Sequence, residues 1–206
     1  MGGDFYDLFS FEGGWAAVIG DVVGKGAEAA ALTALARHTL AAIITATGDC
    51  AYALQVLNRR LRERSDDYRS LCTVAAVVVT GDDQVTVLSA GHPLPLLRRG
   101  VSAWQVGRPG PMLGFVDDIE PESTPVAVEP GDQVILYTDG VLDAIGAGGR
   151  FGEVRLLETV RSLGDGVAAA HRILGAIDRF RDSEHADDIA ILSVARAPVA
   201  AARPLS

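Results

Sequence analysis

The segment Gly20-Asp21-Val22-Val23-Gly24-Lys25-Gly26 constrains the fold more tightly than any other. An apolar run, Trp15-Ala16-Ala17-Val18-Ile19, enters it with strand character, and an alanine-rich helix from about Ala27 to Ile44 leaves it. A carboxylate is therefore planted where a strand ends and glycines let the chain turn. Two phosphate-binding loops are excluded. A Walker A loop has four residues between its first Gly and the Gly-Lys, then Ser or Thr; here Gly20 and Gly24 enclose three residues and Gly26 follows Lys25. Gly24 to Ala29 fits the loose dinucleotide pattern, but that fold requires a second strand ending in an acidic residue, and a second helix comes instead.

Upstream, Gly2-Gly3-Asp4-Phe5-Tyr6-Asp7 opens a short apolar stretch that meets the Trp15 strand across Phe11-Glu12-Gly13-Gly14. A hairpin centred on Glu12-Gly13 pairs residues whose numbers sum to 25, which sets Asp4 opposite Asp21. A turn centred on Gly13-Gly14 would move the pairing by two. Facing carboxylates repel, so the first register calls for a cation or a shared proton. The alternative is two unrelated loop aspartates.

The 206 residues suffice for one domain with two layers of sheet. No apolar run is read as long enough to span a bilayer, and no signal peptide precedes the first motif. Cys50 and Cys72 fall in a helix start and a strand, so free core thiols and a cytoplasmic location are expected. The net charge of −9, with a single arginine-rich run at residues 59–64 on a helix face, argues against a nucleic-acid partner.

Along the chain the pattern predicts a hairpin, two helices, a meander of strands, two more helices and a closing strand. The second helix runs from about Tyr52 to Arg64. Strands follow at Leu71–Thr80, Gln84–Ser89, Leu94–Leu97, Val101–Val106, Thr124–Val128 and Gln133–Thr138. Residues 141–150 read as a Gly-rich loop, Phe151–Leu163 and Val167–Phe180 as helices, and Ile189–Val194 as the last strand. The first helix is apolar nearly all round and is expected to be buried flat on a sheet. Sequential hairpins argue for antiparallel sheets. The expected class is α+β, a four-layer αββα sandwich of two mainly antiparallel sheets flanked by helix pairs. One domain is expected over residues 1–195, with a frayed tail over 196–206. Met1 abuts Gly2-Gly3-Asp4, and a domain seldom opens on its own functional motif, so an upstream strand is expected as well.

Three acidic positions share one placement. Asp21 and Asp139 each follow an apolar strand, and Asp187 directly precedes one. Antiparallel neighbours bring the end of one strand beside the start of the next, so all three can meet Asp4 at one edge of the sandwich. Such a cluster needs divalent cations, and oxygen-only ligation selects Mg²⁺ or Mn²⁺. Two such ions about 3.5–4 Å apart can activate one water for in-line attack on phosphorus.

Gly2 to Asp7, Gly20 to Gly26, Ser89-Ala90-Gly91-His92-Pro93, Tyr137-Thr138-Asp139-Gly140-Val141 and Asp187-Asp188-Ile189 together resemble the ordered motifs of the SpoIIE/RsbU-type serine phosphatases, within the PP2C-like metal-dependent class. The resemblance implies a protein serine/threonine phosphatase holding two Mn²⁺ or Mg²⁺ ions, with attack by a hydroxide bridging them. By analogy Asp21 bridges both ions, Asp4 and the Val22 backbone carbonyl complete one, and Asp139 and Asp187 complete the other. It further implies a phosphorylated anti-sigma-factor antagonist of the STAS type as substrate, and an upstream sensor or regulatory domain. Asp143 stands where the family often has Glu, Ala190 where it often has Thr, and Val23 where the eukaryotic branch has a His proposed as general acid.

Weaker candidates carry plainer readings. Lys25 is a phosphate contact or a loop residue at a helix start. His92 is read as the anchor of the Gly91-Pro93 turn, and His185 as a solvated loop residue. Asp188 and Gly140 adjoin the ligands, with Asp188 bonding the loop rather than an ion. Asp7 and Asp143 are candidates to touch ligands rather than ions. Two other functions compete: a catalytically weak or silent binding module in a partner-switching pathway, and a phosphatase of small phosphorylated molecules.

Overall fold

The computed structural model describes residues 3–64, 70–81, 84–164, 169–181 and 188–197. Strands β1 (Phe5–Phe11) and β2 (Gly14–Val22) are followed by helices α1 (Gly26–Thr47) and α2 (Cys50–Arg64). Then come β3 (Cys72–Thr80), β4 (Gln84–Ala90), β5 (Leu96–Arg99), β6 (Ser102–Gln105), β7 (Thr124–Val126) and β8 (Gln133–Tyr137). The chain continues through α3 (Gly140–Asp143), β9 (Ile145–Gly146), β10 (Gly149–Arg150), α4 (Gly152–Arg161), α5 (Ala169–Phe180) and β11 (Ile191–Ala195).

One sheet has the order β1-β2-β3-β4-β7 and the other β11-β8-β5-β6; within both, every pairing is antiparallel. Strand pleat sorts the side chains into layers. Ala16, Val18 and Val22 of β2 face α1 and α2 and share a core with Leu32, Leu40 and Leu57. Ile19 points the other way and meets Val134 and Leu136 of β8 between the sheets. Ile135 and Tyr137 of β8 face outward to Leu156, Ile173 and Ile177 of α4 and α5. The result is the expected four-layer sandwich. Burying each such Leu or Ile contributes about 1.5–3 kcal/mol.

The β1–β2 register pairs Phe5 with Gly20 and Phe11 with Gly14, the sum of 25 expected from a Glu12-Gly13 turn. Both cysteines are free and buried.

Three expectations are corrected. First, α1 is not buried all round. Only Ala29, Leu32, Ala36, Leu40 and Ile44 are enclosed, a single stripe at helical spacing. The remaining positions are mainly alanines and threonines, whose small side chains tolerate solvent. Second, this helix is, by length and composition alone, long and apolar enough to cross a membrane. Its stripe is instead spent on β1, β2 and α2, and Arg37 and His38 lie exposed at its middle. Third, residues 141–150 are not a plain loop. They fold into the end of α3 and the small β9–β10 ladder, which pairs Gly149 with Gly146. The residues beyond 197, where the tail is expected to fray, lie outside the described residues.

Candidate active site

The pleat explains which aspartates meet. Asp21 is the next-to-last residue of β2 and shares the inter-sheet face with Ile19. Asp4 stands one residue before β1, in line with Asp21 by the hairpin register. Asp7 is three residues along, hence on the opposite face. There it accepts two bonds from Arg37 of α1, from Nε at 3.2 Å and Nη2 at 2.8 Å. Asp7 therefore ties β1 to α1 and stands apart from the cluster.

Close packing holds the motif together. The Val22 amide donates to the Gly3 carbonyl at 3.3 Å. A Cβ on Gly3 would collide with the Val22 carbonyl oxygen and sit 2.5 Å from Asp21 Oδ1. Only glycine lets Asp4 approach this closely. On the other sheet, Asp139 precedes α3, and its carbonyl accepts from the amides of Leu142 and Asp143 at 2.8 and 2.9 Å. A Cβ on Gly140 would collide with the Asp188 carbonyl, so Gly140 allows the 188–190 segment to close on α3.

Asp4 is where the two sheets connect. Its Oδ2 accepts from Thr138 Oγ1 at 2.7 Å, and the same hydroxyl accepts from the Ala190 amide at 2.9 Å. Thr138 is completely buried. Burial pushes the Asp4 carboxyl up to about 7, and the charges of Asp21, Asp139 and Asp188 add to the rise against the lowering effect of the Thr138 bond. Three carboxylates thus act on a fourth.

Asp188 is exposed and belongs to this electrostatic group. Asp187 and His185 lie outside the described residues. Lys25 is exposed at the N-terminal boundary of α1 and makes no ion pair among the described residues. Asp143 pairs with Arg150 at 2.7 Å. Beside Asp4 a groove of about 690 Å³ opens to solvent, bounded by Tyr6, Thr33, Arg37 and Ile189.

His92 does more than anchor its turn. It is buried, with Nδ1 2.8 Å from Thr73 Oγ1 and Nε2 3.1 Å from the Tyr137 carbonyl. Burial lowers its pKa to about 4, so the ring is neutral near pH 7. Neither Thr138 nor this bridging role of His92 was legible in the local pattern.

Among the described residues no three His, Cys, Asp or Glu side chains form a ready-made metal cage. The donor chemistry nonetheless fits a hard divalent ion, since the groups are oxygens and the charges of Asp21, Asp139 and Asp188 all act on Asp4.

This sandwich, with acidic residues at one end of both sheets, defines a PP2C-type phosphatase domain. The SiaA-PP2C domain of Pseudomonas aeruginosa superimposes with a TM-score of 0.79 at 25% identity, over 93% of this chain and 80% of that one. RsbX, described in complex with magnesium, shares the fold at 14% identity and a TM-score of 0.67, over 94% of this chain and 87% of that one. The chain belongs to the SpoIIE family, whose profile, described as Stage II sporulation protein E, matches residues 12–197. Among curated relatives, the phosphoserine phosphatase RsbP of Bacillus subtilis is 26% identical over 150 residues, 69% of this chain. The chain spans 37% of the length of that relative.

Proposed function

We propose that this chain is a metal-dependent protein serine/threonine phosphatase acting on a phosphorylated anti-sigma-factor antagonist of the STAS type. The observation that carries the reading is the convergence of Asp4, Asp21, Asp139 and Asp188: burial raises the Asp4 carboxyl to about 7, and the three neighbouring charges add to the rise. Membership of the SpoIIE family and likeness to a phosphoserine phosphatase support the same chemistry.

Asp21 would touch two Mn²⁺ or Mg²⁺ ions, Asp4 and the Val22 carbonyl one of them, and Asp139 and Asp187 the other. When bound, such ions supply Lewis-acid activation of water and neutralise phosphoryl charge. The magnesium described for RsbX supports divalent binding in this fold. The chain's own residues do the positioning. Thr138 fixes one oxygen of Asp4, Gly3 brings Asp4 against Asp21 and Val22, and Gly140 admits the segment that carries Asp188. Cluster and groove are open to solvent, as a phosphorylated side chain on a folded protein requires. Relatives longer than this chain make an attached sensor or regulatory domain part of the proposal.

The test is release of orthophosphate from phosphorylated antagonist proteins with Mn²⁺ or Mg²⁺. Rapid release from the protein and slow release from free phosphoserine is expected. Turnover of small phosphorylated molecules alone would replace this substrate, and tight binding of the antagonist without release would favour a silent binding module.

Thr138→Val tests the positioning. It removes the donor to Asp4 and leaves the buried Ala190 amide without its acceptor. We expect Mn²⁺ affinity to fall about 10–100-fold and stability to fall by about 1–3 kcal/mol. Calorimetric Mn²⁺ titration and thermal melting read the two effects separately.

A further inference from the structure

We propose that His92 is a positioning residue, a polar strut that fixes the spacing between the Asp21 side and the Asp139 side of the cluster. The inference rests on the metal reading above.

The ring sits in the link between β4 and β5, where the chain crosses from one sheet to the other. Ser89 Oγ donates to the His92 carbonyl at 2.8 Å, which holds the residue's backbone. Each ring nitrogen then reaches a different sheet. Thr73, 2.8 Å from Nδ1, is the cross-strand partner of Asp21. Tyr137, whose carbonyl is 3.1 Å from Nε2, directly precedes Thr138 and Asp139. One imidazole therefore links the neighbour of Asp21 to the backbone that presents both Asp139 and the Thr138 hydroxyl holding Asp4.

The bonds have a fixed direction. A carbonyl only accepts, so Nε2 carries the proton. A buried neutral ring has a single proton, so Nδ1 accepts from the Thr73 hydroxyl. That hydroxyl has one proton, which serves the 2.8 Å bond rather than the 3.5 Å contact with the Asp21 carbonyl. The two ends of the strut are not interchangeable.

Ladder bonds fix strands within a sheet, but nothing in a ladder fixes one sheet against the other. Apart from the Thr138–Asp4 bond, the neighbouring contacts between these sheets are apolar: Ile19, Ala75, Val77 and Leu136. Apolar packing is non-directional and tolerates sliding. Ions about 3.5–4 Å apart tolerate little error in their ligands, so a directional link at this end of the sandwich has a specific use.

The test compares wild type with His92→Phe, His92→Gln and Thr73→Val. Free Mn²⁺ is followed by electron paramagnetic resonance, and folding by melting in chelator. His92→Phe fills the space without polar atoms, while His92→Gln retains a donor for the Tyr137 carbonyl. Thr73→Val removes only the hydroxyl. We expect Mn²⁺ affinity to fall about 10–100-fold in His92→Phe, less in His92→Gln, and less in Thr73→Val. The loss in Thr73→Val should vanish when His92 is already Phe, because the bond is then gone. Cooperative melting with native Mn²⁺ affinity in His92→Phe would overturn the strut. If that variant does not fold, Thr73→Val decides, and native affinity there overturns it equally. A wild-type protein that binds no Mn²⁺ would defeat the metal reading, and the strut with it.

Discussion

Asp21→Asn is expected to lower turnover at least about a thousandfold, or about 4 kcal/mol of transition-state stabilisation. The position lies on the inter-sheet face at the end of β2, and by the proposed assignment it alone touches both ions. Asp4→Asn should cost less, because Asp4 touches one. Asn has the size of Asp, and Asp21 is only half-buried, so neither the β2–β3 ladder nor the apolar core is disturbed. The metal-free protein should even gain stability. The Asp21 charge helps to raise the Asp4 carboxyl, and removing it relieves that repulsion. Lost turnover with an equal or higher melting temperature in chelator is therefore the expected signature. A folding defect would lower both. Near-native turnover in Asp21→Asn together with an inactive Lys25→Ala would overturn the assignment of roles.

What the sequence revealed follows the range of each interaction. The Asp4–Asp21 approach was legible because a two-residue turn fixes register within 18 residues of chain, and Phe5 does pair with Gly20. The layer order was legible because pleat and helical periodicity are local. Asp7 was expected to touch the ligands, but strand parity places it on the face opposite Asp4, and its pairing with Arg37 depends on how α1 lies on β1. The bonds that align the two sheets were not legible. Thr138 lies 134 residues from Asp4 in the chain, and Tyr137 lies 45 residues from His92. No local pattern encodes such contacts. A motif histidine read as a turn anchor is equally consistent with a strut until the fold places both partners. The misjudged exposure of α1 has a different cause: alanine counts as apolar in a periodicity yet is indifferent to burial.

Chelation of divalent ions is expected to abolish turnover, and the stabilisation conferred by Mn²⁺ should grow as pH rises from about 4 to about 7. The sign follows from Asp4. Its ordinary value is 3.8, and in the folded metal-free protein it rises to about 7. Between those values the folded state keeps a proton that the unfolded chain has released, so this group's contribution to stability falls as pH rises. His92 acts oppositely. Its value drops from 6.5 to about 4, so the unfolded chain binds the extra proton, and stability rises with pH across that window. In chelator the two contributions oppose each other, and the raw melting curve against pH is a poor readout. The difference between Mn²⁺ and chelator separates them. His92 is buried and bonded to Thr73 and Tyr137 in both conditions, so its contribution cancels. Asp4 ionises when an ion takes its carboxylate, so its contribution remains. The gap in melting temperature between the two conditions should widen from pH 5 to about 7 and level off above, with proton release on Mn²⁺ binding below pH 7 and little above. A gap independent of pH would show that Asp4 does not meet the ion.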